Sequence, residues 1–213
     1  MEQDYHYNGA LTYEDINARL DKDIFIRPIL DREKQINAIG VDFRLGYNFL
    51  VNIQGREAYM NASRNNVPGD VSSSFSYFFQ ETRRQLGETF ILHPRQTILA
   101  TSLEYIKLPN DLFLMLYMRS SYSRLGLTIS TVVQPGYCGC ISLELSNNGI
   151  TPINLTIGAR LFQGLLLPAA NQTNYFTKSR KYACQVRPEP SAAVSDKDLE
   201  ILSTLWKEAN HLK

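Results

Sequence analysis

Residues 119–124, Arg-Ser-Ser-Tyr-Ser-Arg, place two guanidinium groups and three hydroxyls in one short run. The run follows Leu112–Met118, an apolar stretch that reads as a buried strand, so it stands where that strand leaves the core. A turn in that position can aim backbone N–H groups, hydroxyls and the planar forks of Arg119 and Arg124 at a single anion, and phosphate is the anion whose geometry suits them. About twenty residues further on, Ile141-Ser142-Leu143-Glu144-Leu145-Ser146 alternates strictly. Ser142, Glu144 and Ser146 therefore share one face of a strand while the apolar residues face the other way. A phosphate-holding turn beside a strand carboxylate has the parts needed to hold a nucleotide and activate water against it. The same residues also fit a plainer account, a solvated turn and a surface glutamate, and their types alone do not choose between the two.

Order and spacing add to this. Arg119-Ser-Ser-x-x-Arg-Leu-Gly, then Pro135-Gly-Tyr-x-Gly, then Ile141-x-Leu-Glu-Leu-x-Asn resembles the dCTP deaminase branch of the dUTPase-like superfamily. The resemblance extends over roughly residues 36–190. It implies a mainly β fold, the dUTPase-like β-clip or distorted barrel, here with short N-terminal and C-terminal helices. It also implies a homotrimer with three active sites lying between subunits, and dCTP bound with Mg²⁺ on its triphosphate. By the same resemblance Arg119, Ser120 and Ser121 grip phosphates, Arg124 lies near the base and its water, and Glu144 is the general base, with Ser120 and Arg124 completing the catalytic group. Ser142 is expected at the sugar or base. Gly158-x-Arg160-x-x-Gln163 resembles the family's glycine-rich segment, which makes Gln163 a nucleotide contact, and Phe162, in place of the family's usual small residue, is expected to narrow the pocket. Lys181-Tyr182-x-x-Gln185 resembles the tail motif that closes over the triphosphate, with Tyr175 as an upstream partner.

Two departures bear on the chemistry. Eight residues separate Gly126 from Pro135, fewer than in the family, and its Thr-Ala step is not recognisable. The turn's aspartate, which in dUTPases activates water for phosphate cleavage, is Gln134 here; by the resemblance Gln134 instead contacts substrate. Three functions fit these residues: deamination of dCTP to dUTP and ammonia, pyrophosphate release from a deoxynucleoside triphosphate, and a non-catalytic nucleotide-binding or assembly role on the same scaffold.

The remaining elements must position these groups. With 22 basic and 21 acidic residues among 213, the chain lacks the basic excess of a nucleic-acid binder. Its longest apolar run falls far short of a membrane span. The opening Met-Glu-Gln-Asp-Tyr-His has no secretory pattern, and three cysteines suggest free thiols, so cytoplasm is the expected compartment. Zinc is not expected, because neither His-x-Glu nor Pro-Cys-x-x-Cys occurs and the three histidines are scattered.

Thr12-Tyr-Glu-Asp predicts a capped helix with Ile16 and Leu20 on one side. Ile24–Ile26 reads as extended, Asp31–Gln35 as a loop, and Ile39–Val51 as a strand turning at Gly46, with Asp42 and Arg44 as a cross-strand or intersubunit ion pair. Asn61–Ser74 is loop-like, and the aromatic run Phe75–Phe79 reads as core or interface packing. Short strands are predicted at 89–92, 97–106, 112–118, 128–133, 140–146, 152–157 and 161–167, separated by Pro, Asn and Gly turns. The nucleotide-binding domain is set at 1–190. Residues 191–213 form a helical extension whose Leu199, Leu202, Leu205 and Trp206 share a face that needs a surface to cover it.

Overall fold

The computed structural model describes residues 9–53, 59–62, 75–129, 131–173, 175–177 and 180–211. In chain order these form α1 (Tyr13–Arg19), β1 (Phe25–Arg27), α2 (Arg32–Gln35), β2 (Val41–Asn52), β3 (Phe79–Arg83), β4 (Thr89–Leu92), β5 (Thr97–Lys107), β6 (Leu112–Met118), α3 (Ser120–Ser123), β7 (Leu127–Thr128), β8 (Thr131–Val133), β9 (Cys138–Asn147), β10 (Ile153–Thr156), β11 (Arg160–Pro168) and α4 (Asp198–His211). Chain contacts divide them into two compact units, residues 1–51 with 81–189, and residues 52–80 with 190–213. Residues 63–74 of the expected Asn/Ser-rich loop lie outside the described residues.

In the larger unit one sheet runs in the order β7-β9-β5-β2-β11-β6-β8, with β1 paired to β5 and β3 to β2, while β4 and β10 form a separate pair. All registered pairs are antiparallel. The sheet curls so that β8, at one end, approaches β9 near the other. Alternation along the strands fills the inside of that curl: Phe43, Leu45 and Phe49 from β2, Leu112, Leu114 and Leu116 from β6, and Ile141, Leu143 and Leu145 from β9 are all buried. Phe49 stacks on Phe90 with ring centroids 4.8 Å apart. The result is a mainly β, curled barrel, as expected from the sequence.

Local chemistry explains the helices. Thr12 and Asp15 form a reciprocal capping box on α1, with Ile16 and Leu20 buried below it. Arg19, at the end of α1, is 1% exposed and grips Asp111 through both terminal nitrogens at 2.8 and 2.9 Å, which fixes the helix to the loop before β6.

Several expectations need correction. Asp31–Gln35 is not a loop: the Asp31 side chain accepts from the Lys34 N–H at 3.2 Å and starts the single turn of α2. Gly46 does not turn the chain either. β2 runs straight through it with a register shift between Leu45 and Phe49, and a Cβ at Gly46 would stand 2.6 Å from the Thr101 carbonyl oxygen. The stretch 128–133 is two strands, β7 and β8, on opposite ends of the sheet order. Phe162 is fully buried among core side chains rather than narrowing a pocket.

The smaller unit holds a 3₁₀ turn at Phe75–Phe78, whose last carbonyl accepts from Ile53, a second 3₁₀ turn at Ala193–Ser195, and α4. On α4, Leu202, Leu205 and Trp206 are exposed. No helix among the described residues is long and apolar enough to cross a membrane.

Candidate functional site

The carboxylate comes first because its strand sets everything near it. β9 pairs with β5 over most of its length, with Glu144 opposite Leu99 and Ser142 opposite Thr101. Burial of Ile141, Leu143 and Leu145 turns Ser142, Glu144 and Ser146 outward, and Glu144 is exposed. Leu127 and Thr128 of β7 pair with Asn147 and Ser146, so the turn that precedes β7 is delivered to the end of β9 that carries Glu144. From the other end of the curled sheet, Thr131 of β8 donates its hydroxyl hydrogen to Glu144 Oε2 at 3.4 Å, and also lies 3.3 Å from the Ser142 carbonyl oxygen. Thr131 was not singled out by the sequence. Its signal was weak, a hydroxyl residue in a shortened loop, and only closure of the sheet brings it here.

The Arg/Ser run is a one-turn helix. Tyr122 and Ser123 donate to the Arg119 carbonyl oxygen, and Gly126, at φ +96, ends the turn where a Cβ would meet the Gly149 nitrogen at 2.8 Å. Ser120, Ser121 and Arg124 are exposed, and among the described residues the Arg124 guanidinium makes no ion pair. Arg119 is held: its Nε is 3.2 Å from Asp42 Oδ2, and its Nη1 donates to the Arg160 carbonyl oxygen at 3.0 Å. Asp42 also meets Arg160 Nη1 at 3.3 Å, so within the chain Asp42 pairs across strands with Arg119 and Arg160 rather than with Arg44. Arg44 instead faces buried Glu104, 4.0 Å from its Oε1, and donates its N–H to Oε2 at 2.9 Å. Burial pushes the Asp42 carboxyl above its ordinary value, against the pull of Arg119, Asn37 and Arg160. Among the described residues, no hydrogen bond or ion pair joins the side chains of the turn to Glu144.

The tail lies on β9. The Gln185 carbonyl oxygen accepts from Cys140 N–H at 2.7 Å, and its side-chain oxygen accepts from Ser142 Oγ. Gln185 is 3% exposed and, among the described residues, its buried Nε2 meets no acceptor. Lys181 is exposed on the same segment. Tyr175 is buried, edge-on to Tyr137 at 5.5 Å, with its hydroxyl donated to the Tyr182 carbonyl oxygen; it pins the tail beneath the 134–136 turn. Gln134 is exposed on that turn. Gln163 lies in mid β11, opposite Asp42 and Tyr117, with Nε2 3.4 Å from the Ile39 carbonyl oxygen. The chain thus brings Glu144, Thr131, Ser142 and Gln185 together, and sets the Arg119–Arg124 turn and Gln163 as separate groups. An open depression lined by Arg83, Arg84, Gln85 and Glu88 contains none of them. Among the described residues no three His, Cys, Asp or Glu side chains gather as a metal site.

Comparison with known proteins bears directly on this arrangement. A family described as dCTP deaminase-like matches residues 10–166, which include the turn, β9 and Gln163. A dUMP-forming dCTP deaminase of Methanobrevibacter smithii is 36% identical over 184 residues, covering 83% of this chain and 91% of that protein. The chain belongs to the dCTP deaminase-like family. Other family relatives include a dCTP deaminase of Halorubrum lacusprofundi, 34% identical across 87% of this chain and 92% of that one. A dUMP-forming dCTP deaminase of Dictyoglomus turgidum is 37% identical across 85% and 93%. The fold is shared with a crystal structure of 2'-deoxycytidine 5'-triphosphate deaminase from Agrobacterium tumefaciens, with a TM-score of 0.56 and 22% identity over 76% of this chain and 48% of that one. Within the family, the tail carrying Lys181 and Gln185 lies beyond the matched span.

Proposed function

We propose that this protein is a dCTP deaminase that converts dCTP and water to dUTP and ammonia in pyrimidine deoxynucleotide metabolism. The observation that carries this reading is Glu144 turned outward on a paired strand, with the Thr131 hydroxyl at its Oε2. Glu144 takes a proton from the attacking water as oxygen bonds to C4 of cytosine. It passes that proton to N3, then takes the second proton from the new C4 hydroxyl and gives it to the exocyclic nitrogen, so that C4=O forms, the C4–N bond breaks and ammonia leaves. Thr131 steadies one carboxylate oxygen and leaves the other for water.

The phosphates fall to Arg119, Ser120, Ser121 and Arg124, with Lys181 and Gln185 closing from the tail. Asp42 keeps Arg119 aimed, and Mg²⁺ travels on the substrate triphosphate, where it offsets phosphate charge. Ser142 and Gln163 contact the sugar or base, while Gln134 lines the turn and Tyr175 supports the tail. We assign the complete site to the junction between subunits of a cytoplasmic homotrimer. Support comes from the lack of any bond between the turn's side chains and Glu144 within one chain, among the described residues.

The product is the finer question. Gln134 supplies no carboxylate at the turn, which favours dUTP. The dUMP-forming relatives favour a second reading, deamination coupled to pyrophosphate release. Chromatography of products after incubation with dCTP and Mg²⁺ separates them. Ammonia with dUTP and no pyrophosphate is the expected outcome, ammonia with dUMP and pyrophosphate establishes the second reading, and pyrophosphate without ammonia contradicts both.

A further inference from the structure

Two cysteines that the proposed nucleotide chemistry does not use face each other where the tail meets β9. Cys138 begins β9 and Cys184 lies in the tail, and their sulfurs are 3.1 Å apart although both are free thiols. The contact is built rather than incidental. Cys184 sits at φ +55 and turns the chain, so that the next residue, Gln185, reaches Cys140 N–H and Ser142 Oγ. Gly139 makes the approach possible, since a Cβ there would stand 2.8 Å from the Gln185 carbonyl oxygen. Cys138, Cys140, Ser142 and Glu144 share one face by the two-residue repeat of the strand. The tail is therefore stitched along the same face that ends in Glu144.

We propose that Cys138 and Cys184 form a reversible disulfide, by exchange with a low-molecular-weight disulfide, that locks the tail and Gln185 onto β9. A covalent bond needs the sulfurs to close from 3.1 Å by about 1 Å. Exposed Cys184, as thiolate, attacks one sulfur of the small disulfide and releases one small thiolate. Cys138, as thiolate, then attacks Cys184 Sγ and releases the second. The two protein thiols are oxidised, the small disulfide is reduced to two thiols, and the two protons given up by the protein pass to the departing thiolates. The Cys184 thiol is itself raised by its hydrogen bond with Cys138 but is exposed to the small disulfide, whereas burial pushes the Cys140 thiol up to about 11 and keeps it out of the exchange. The effect on turnover rests on the reading of Glu144 and the tail given above; the bond itself does not.

The test uses the full chain incubated with oxidised glutathione, followed by alkylation of remaining thiols and peptide mapping. The expected result is a linked Cys138–Cys184 peptide with only Cys140 alkylated, reversed by dithiothreitol, retained in Cys140→Ser and lost in Cys184→Ser. Ammonia release from dCTP should fall by about tenfold on oxidation and recover on reduction, as when a mobile segment gates turnover, and Cys184→Ser should not respond. A stable glutathione adduct on Cys184, or alkylation of all three cysteines, overturns the bond. A linked peptide with unchanged turnover overturns the lock, and a linked peptide in a protein whose reduced form never deaminates dCTP supports the bond while removing the functional reading.

Discussion

Glu144 acts, in this account, with one oxygen held and the other offered to water. The hold is light: the Thr131 hydroxyl lies 3.4 Å from Oε2, at the long end of hydrogen bonding. Replacing it in Thr131→Val removes one bond of about 1 kcal/mol, so kcat should fall roughly fivefold with KM little changed. Steady-state kinetics with dCTP checks this, and an unchanged kcat would remove Thr131 from the site. Arg119 shows the opposite kind of constraint. Its guanidinium is fixed between Asp42 and the Arg160 carbonyl before any anion arrives, which lowers the cost of ordering it on binding. That arrangement was not legible in the sequence, where Asp42 had the nearby Arg44 as its obvious partner. The three charges come from β2, β11 and the end of β6, and only sheet order decides which of them meet.

At the scale of elements, what could be read early was what local chemistry dictates. The Thr12–Asp15 box declared α1, and alternation declared β9, because burying one face of a strand leaves its other face polar. The elements misread were those whose form depends on a distant neighbour. Gly46 resembles a turn residue until Thr101 is seen pressed against it, and 128–133 looks like one strand until its halves pair with β9 and β6. The phosphate turn is tied to its surroundings by another such approach, Gly126 against Gly149. An alanine at 126 meets both a positive φ and a backbone nitrogen, so Gly126→Ala should cost more than about 1 kcal/mol and loosen the turn that presents Ser120 and Arg124. A melting temperature equal to that of the parent would show that the turn is not anchored there.

Across the whole molecule, burial also acts on a carboxylate that the proposed chemistry does not use. Glu104, fully buried on β5 where it faces β2, is raised from 4.5 to about 7 by burial, despite hydrogen bonds from Arg44 N–H and Gln35. A carboxyl with a folded value above its unfolded one binds its proton more tightly in the folded state. Its stabilisation is therefore complete below about 4.5 and is lost as pH rises to about 7, on the order of 3 kcal/mol over that window. Urea unfolding of the parent and of Glu104→Gln at both ends of the window should show that extra loss in the parent alone; parallel pH profiles would contradict it.

The most direct test of the central claim is ammonia release from dCTP by the parent protein and by Glu144→Gln, with folding of both confirmed by their melting curves. The account predicts steady release by the parent and a loss of at least about a hundredfold in the variant, as expected when a general base is removed. A parent that releases no ammonia, or a variant that releases it as fast, would contradict the account.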